Sequence, residues 1–172
     1  LGPLELSIRA VAVLGNVDGA VSFLVIIGIE FSPPIEIFLG LTLNAVGGVF
    51  GLNRTLDPNA LGDLVRSGRM DDIMFPQDLA TRALEIIASV KKVYPPRKDQ
   101  FVVGPMLKLG WGRPTSFVTL SVGVVFTFPK PVMVVIIGNL HLALPADELA
   151  LVNLNCGFAG GINFDTGDVW FD

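Results

Sequence analysis

Long stretches in which apolar residues alternate with glycine, serine, threonine or asparagine fill most of this chain, broken once by a charged segment with helical spacing. Leu4–Val11, Ser116–Val124 and Val152–Phe158 all keep the period of two that sends successive side chains to opposite sides of a strand. In Ser116–Phe128 one face reads Val118, Leu120, Val122, Val124, Phe126 and the other Phe117, Thr119, Ser121, Gly123, Val125, Thr127. The first face is strongly apolar; the second is small and only mildly polar.

The pattern predicts strands over Leu4–Leu14, Ala20–Phe31 and Ile35–Phe50, turned at Asn16-Val17-Asp18-Gly19 and at Ser32-Pro33-Pro34. Strands resume over Phe101–Trp111, Ser116–Phe128, Val132–Leu144 and Leu149–Phe164. These are separated by Gly112-Arg113-Pro114, Phe128-Pro129-Lys130-Pro131 and Pro145-Ala146-Asp147-Glu148. Connections this short cannot make parallel crossovers, so neighbours in sequence are expected to pair antiparallel. Glycines recur inside the strands, where they destabilise unless a bend or a close approach needs them, and a curved sheet follows.

Between the two sets of strands, residues 54–99 carry 8 of the 12 basic and 7 of the 16 acidic residues. A first helix is signalled by Asp57 as N-cap, Pro58 at the first helical position, Leu61, Leu64 and Val65 on one side, and Gly68 at a left-handed C-terminal position. A second is predicted from about Pro76 to Val93. Leu79, Ala83, Ile86, Ile87 and Val90 form its stripe, Lys91 and Lys92 sit at the negative end of the dipole, and Tyr94-Pro95-Pro96 stops it. Such a pair packs its stripe on a sheet. The fold class is therefore α+β, mainly β: an antiparallel meander of about seven long, curved strands with an inserted helix pair packed on the sheet. One domain spans residues 1–172, with strands over 1–53, the insertion over 54–99 and strands over 100–172, and it reads as a segment of a longer chain.

Composition narrows the function classes. Hydrophobic residues reach 51% and charged ones only 16%, against about a quarter in ordinary soluble domains. The sheet faces are covered by the domain's own elements, by more protein, or by lipid. A net charge of -4 argues against a nucleic-acid partner, since phosphate binding needs a clustered basic surface. No apolar run reaches the length of a spanning helix. Strands of this length could line a membrane barrel, but one tyrosine and two tryptophans do not supply its aromatic girdles.

The chemical inventory is thin, and no catalytic, cofactor or metal residue is assigned. His141 is the single histidine; it shares a face with Asn139 and Ala143, and a hydrolase built on it would need a serine and a carboxylate from distant strands. Neither a Gly-x-Ser-x-Gly elbow nor a glycine-rich phosphate loop occurs. Cys156 stands alone, so it forms no internal disulfide, and it reads as a buried small hydrophobe. Asp71-Asp72 reads as a helix-boundary cap. Asn163–Asp168 fails the calcium pattern at its third ligand, because Gly167 stands there, so Asp165-Thr166-Gly167-Asp168 is read as a hairpin turn. Asn53-Arg54-Thr55 fits a glycosylation acceptor but is read as a turn.

Three stretches, Gly48–Thr55, Phe101–Gly112 and Phe158–Gly167, resemble segments of a family of large, β-rich bacterial and fungal proteins classed as a domain of unknown function. The resemblance implies a piece of a longer protein and no particular activity. The expected function is a non-enzymatic structural, assembly or binding module without cofactors. Its partners would be the rest of a parent chain or further copies joined through sheet edges. The alternatives are lipid or other apolar-ligand binding in a curved groove, and the His141 hydrolase.

Overall fold

A computed structural model describes residues 3–112, 117–146 and 150–172, with the side chains of 144–146 and 150–152 left aside. The elements run β1 (Glu5–Val17), β2 (Ala20–Phe38), β3 (Leu41–Arg54), α1 (Pro58–Arg66), a 3-10 turn (Met70–Asp72) and α2 (Leu79–Val93). They continue as β4 (Pro96–Trp111), β5 (Val118–Phe128), β6 (Met133–Ala146), β7 (Ala150–Asn163) and β8 (Val169–Phe171). All eight strands form one sheet in the order of the chain, every pair antiparallel, and β8 does not return to β1. The meander is as expected, with one strand more. Three residues, Val169-Trp170-Phe171, are too few to show a period, yet they pair with Gly160–Ile162.

The first turn sits where the sequence puts it. Asp18 (φ 47) and Gly19 (φ 78) form a two-residue connection between the paired Val17 and Ala20. The second does not. β2 continues through Ser32-Pro33-Pro34 and turns only at Leu39 (φ 40) and Gly40 (φ 82). The prolines are tolerated because β1 ends opposite Ser32, so Pro33 and Pro34 lack a neighbour on that side. On the β3 side, the register shifts between Glu30 and Ile35. Pro145 and Ala146 likewise belong to β6, paired with Leu151 and Ala150. Residues 113–116 and 147–149 of the remaining predicted turns lie outside the described residues.

The insertion leaves from the end of β3 and returns at the start of β4, its base closed by Thr55 N–H to Pro95 C=O and Asp57 N–H to Val93 C=O. Asp57 caps α1, accepting from the N–H groups of Asn59 and Ala60. Gly68 takes the left-handed conformation expected of it at φ 67. The second helix begins three residues later than the spacing suggests. Phe75 and Pro76 are buried under it, and Asp78 turns the chain at φ 55. Asp71-Asp72 lies inside the 3-10 turn and caps nothing. Asp72 is instead a buried carboxylate that accepts from Arg69, Arg82 and Ser89, which ties the turn to α2.

The core lies between this insertion and one face of the sheet. It holds Val11, Leu24, Ile26, Val49, Val102, Val125, Val135 and Ile137 from the strands, with Leu61, Met70, Phe75, Ile86 and Val90 above them. Glycines give the insertion its clearance. A Cβ on Gly28 or on Gly47 would come within 3.1 Å of the Phe75 ring, and one on Gly157 within 2.8 Å of Met70 Cγ. The sheet also bends. β1 and β4 stand three places apart, about 14 Å in a flat sheet, yet they contact each other.

Candidate functional site

The helices cover the milder of the two faces. In β5 the buried residues are Ser121, Gly123, Val125 and Thr127; Val122 and Val124 are half-buried and Phe126 is exposed. The reason is steric: Phe75 and Met70 can approach a shelf of glycine and serine closely, whereas a face of valine, leucine and phenylalanine holds a helix farther off.

The strand register organises the uncovered face into rows. One crosses all eight strands: Ala12, Val25, Phe50, Val103, Phe126, Val134, Ile162, Val169. On one side of it lies Leu14, Phe23, Leu52, Phe101, Phe128. On the other side lie Ile8, Ile29, Val46, Leu107, Val122, Gly138, Phe158 and, farther along, Phe38, Leu41, Trp111, Val118, Leu142, Leu154. Ala10, Ile27, Gly48, Pro105 and Val124, Ile136, Gly160, Phe171 complete one further row, Leu6, Phe31 and Leu109, Leu120, Leu140, Cys156 another. None of these rows contains a charged residue. At strand spacings of about 4.8 Å across and 6.8 Å between rows they cover roughly 1,000 Å², beyond the largest apolar patch of a typical monomer. Leu14 is 75% exposed, Ile8 64% and Trp111 62%.

Two shallow depressions mark this face. One, of about 350 Å³, is walled by Val134, Ile136, Phe158, Ile162, Val169 and Phe171 over Gly160 and Gly161. The other, of about 320 Å³, lies over Gly48 and Gly104 between Ile27, Phe50, Val103 and Pro105. Both are apolar because glycine in one strand lets the side chains of its neighbours form walls.

Arg9, Glu30 and Lys108 stand on the helix side of their strands. Arg9 of β1 pairs with Glu30 of β2, Gln77 donates to the same carboxylate at 2.8 Å, and the Lys108 ammonium stands 5.9 Å from the centre of the Phe75 ring. Burial acts to raise the Glu30 carboxyl, but hydrogen bonds from Arg9 and Gln77 and the charges of Arg9 and Lys108 outweigh it and hold the group below its ordinary value. A third crevice, of about 280 Å³ between α1 and α2, is lined by Asp63, Arg69, Glu85 and Lys92, so its charges balance.

With this geometry the chain can be placed among known proteins. It belongs to a family of unknown function, DUF6603. The family model matches residues 1–172. No curated protein and no solved structure matches the chain. The likeness of Gly48–Thr55, Phe101–Gly112 and Phe158–Gly167 to a domain of unknown function is therefore correct at the level of the family, and membership brings no catalytic residues with it.

The residues singled out in the sequence fall at separate places. His141 is half-buried on the helix side of β6, opposite Thr119 and Asn155. Glu36 shares its cross-sheet row but stands four strands away, about 19 Å. Among the described residues, no group of His, Cys, Asp and Glu could hold a metal ion. Cys156 is exposed, a correction with a simple origin: it lies on the apolar face, and that face is the uncovered one. Asn53 stands next to the end of β3 in a left-handed conformation (φ 52) rather than opening a turn. Its amide donates to Val21 C=O at 2.7 Å and accepts from Asp99 N–H at 2.8 Å, bridging β2 to β4. Asp165–Asp168 is the hairpin turn it was expected to be, closed by Gly167 N–H to Asn163 C=O at 2.8 Å.

Proposed function

We propose that this chain is a non-enzymatic assembly module and that its helix-free sheet face is the surface through which it joins other protein. The observation that carries this reading is the set of cross-sheet rows without a single charged residue. At about 25 cal/mol per Å², covering roughly 1,000 Å² of such surface is worth an upper figure of about 25 kcal/mol. Association costs about 4 to 15 kcal/mol in lost translational and rotational freedom, and only the surplus over that and over side-chain ordering appears as affinity. Nothing directional is needed from the partner, only apolar surface of matching shape.

A second reading has its own support in the two glycine-floored depressions. Their volumes of about 350 and 320 Å³ fall in the range of small-molecule sites and their walls are hydrocarbon, which suits segments of acyl chain. Native mass spectrometry of the gently purified protein, with organic extraction of bound material, separates the two. Ligand-free oligomers support assembly, co-purifying lipid supports the groove, and a ligand-free monomer at every concentration sinks both.

A further inference from the structure

The uncovered face carries hollows and knobs at matching places. One depression is floored by Gly48 of β3 between Ile27 of β2 and Pro105 of β4, the other by Gly160 of β7 between Ile136 of β6 and Phe171 of β8. These residues share one cross-sheet row. From the point between β4 and β5 in that row, β3 and β6 are equally far, and so are β2 and β7. Half a turn about an axis that lies above this point and runs along the strands therefore lays Ile136 over Gly48 and Ile27 over Gly160. In the next row the same rotation lays Val46 over Gly138. Each glycine on this face in β2 to β7 thus meets a β-branched side chain that the fold leaves exposed or half-buried.

We infer that a second copy of this chain seats on the face, sheet against sheet, about that two-fold axis. Sheets packed in this way stand about 10 Å apart with their strands within about 30° of each other, and the side chains of the two inner faces interdigitate. A two-fold interface makes every contact twice, and a surface serves for it only where its knobs fit its own hollows. The glycines supply that fit here. With no charged residue in the rows, no ion is buried without a partner.

Strands β2 to β7 hold about three-quarters of the roughly 1,000 Å² of apolar face. Two copies would bury about 1,500 Å² between them, the size of a standard stable interface. All three glycine contacts lie in β2 to β7, so the pairing does not depend on what adjoins β1 or β8. Naming a second copy as the partner rests on the assembly reading and adds to it the occupant and the register.

The register can be read with the chain's own thiol. Cys156 is exposed on β7, one row beyond Gly138, and the rotation brings Phe31 of the second copy opposite it. Within one chain the two residues are five strands apart, about 24 Å. The test is sedimentation equilibrium of the full chain as wild type, Ile136→Lys and Leu84→Lys. It is joined by treatment of Phe31→Cys and Phe128→Cys with a bismaleimide of about 10 Å reach, the sheet separation.

The expected result is a wild-type dimer that Ile136→Lys weakens about tenfold or more, by burying an unpaired ammonium. Leu84→Lys, on the insertion and 86% exposed, leaves it unchanged. Phe31→Cys cross-links into covalent dimers, whereas the wild type and Phe128→Cys, four rows from Cys156, do not. A wild-type monomer, an Ile136→Lys dimer as tight as wild type, or an equal loss from Leu84→Lys overturns the inference. A dimer that Ile136→Lys weakens but that Phe31→Cys does not cross-link overturns the two-fold pairing and leaves the proposed function standing.

Discussion

Ile136 and Ile137 are consecutive in β6 and are treated oppositely by the fold. Ile137 is fully buried beneath the insertion, its Cγ1 3.3 Å from where a Cβ on Gly123 would lie, whereas Ile136 is 51% exposed on the uncovered face. Truncation to alanine removes the same three carbons from each. At Ile137 the lost transfer energy is about 2.4 kcal/mol, and the cavity left beneath the helices brings the cost to about 2 to 5 kcal/mol. At Ile136 half the side chain is already in water and no closed cavity forms, so the cost is about 1 kcal/mol. The loss of strand propensity is common to both and cancels. With a urea dependence of about 2 kcal/mol per molar, Ile137→Ala moves the unfolding midpoint down by about 1 to 2.5 M and Ile136→Ala by about half a molar. The assay is urea unfolding followed by circular dichroism at two protein concentrations tenfold apart. Equal losses at the lower concentration, or a larger one for Ile136→Ala, would refute the assignment of faces. A cost for Ile136→Ala that grows with concentration would show that this face is buried by association.

Four further outcomes are expected. Gly47→Ala would place a Cβ 2.4 Å from the Ile27 carbonyl oxygen and 3.1 Å from Phe75, so strands must part, costing about 1 to 3 kcal/mol in the same unfolding assay. Gly15→Ala, whose Cβ meets only Arg54 at 3.6 Å, should leave stability within about 0.5 kcal/mol. Because the Glu30 carboxyl is held below its ordinary value in the folded chain, its contribution is present above the unfolded value and is lost as pH falls through the folded one; the acid side of a melting-temperature profile should flatten in Glu30→Gln, and an unchanged profile would contradict the Arg9–Glu30–Gln77 arrangement. Tyr94 is the chain's single tyrosine and is fully buried, and burial pushes its phenol well above the ordinary value. The native chain should show no phenolate absorbance near pH 10, with ionisation appearing only on alkaline unfolding, because stability falls as pH rises above the unfolded value.

Much of the architecture was legible because it is set locally. The period of two fixes a strand whatever it packs against, Asp18-Gly19 supplies the left-handed pair its hairpin needs, and Asp57-Pro58 starts α1 with its own cap. The misreadings came where a local signal depends on a neighbour. Ser32-Pro33-Pro34 looks like a turn, and becomes strand only because β1 stops beside it and β3 takes up the register shift. Asp71-Asp72 looks like a cap, and Asp72 becomes a buried ion-pair centre only when α2 brings Arg82 and Ser89 to it. The candidate face was half legible: its residues are plain in the alternation of Ser116–Phe128, but not that it would be left open.

The sequence by itself determined that this chain is an antiparallel meander with a charged helical insertion and two chemically distinct faces, because alternation, turn residues and caps act within a few residues of one another. Only the tertiary structure decided which face the helices cover. That choice depends on how closely Phe75 and Met70 can approach glycines contributed by β2, β3 and β7, strands that become neighbours of the insertion only when the sheet is assembled.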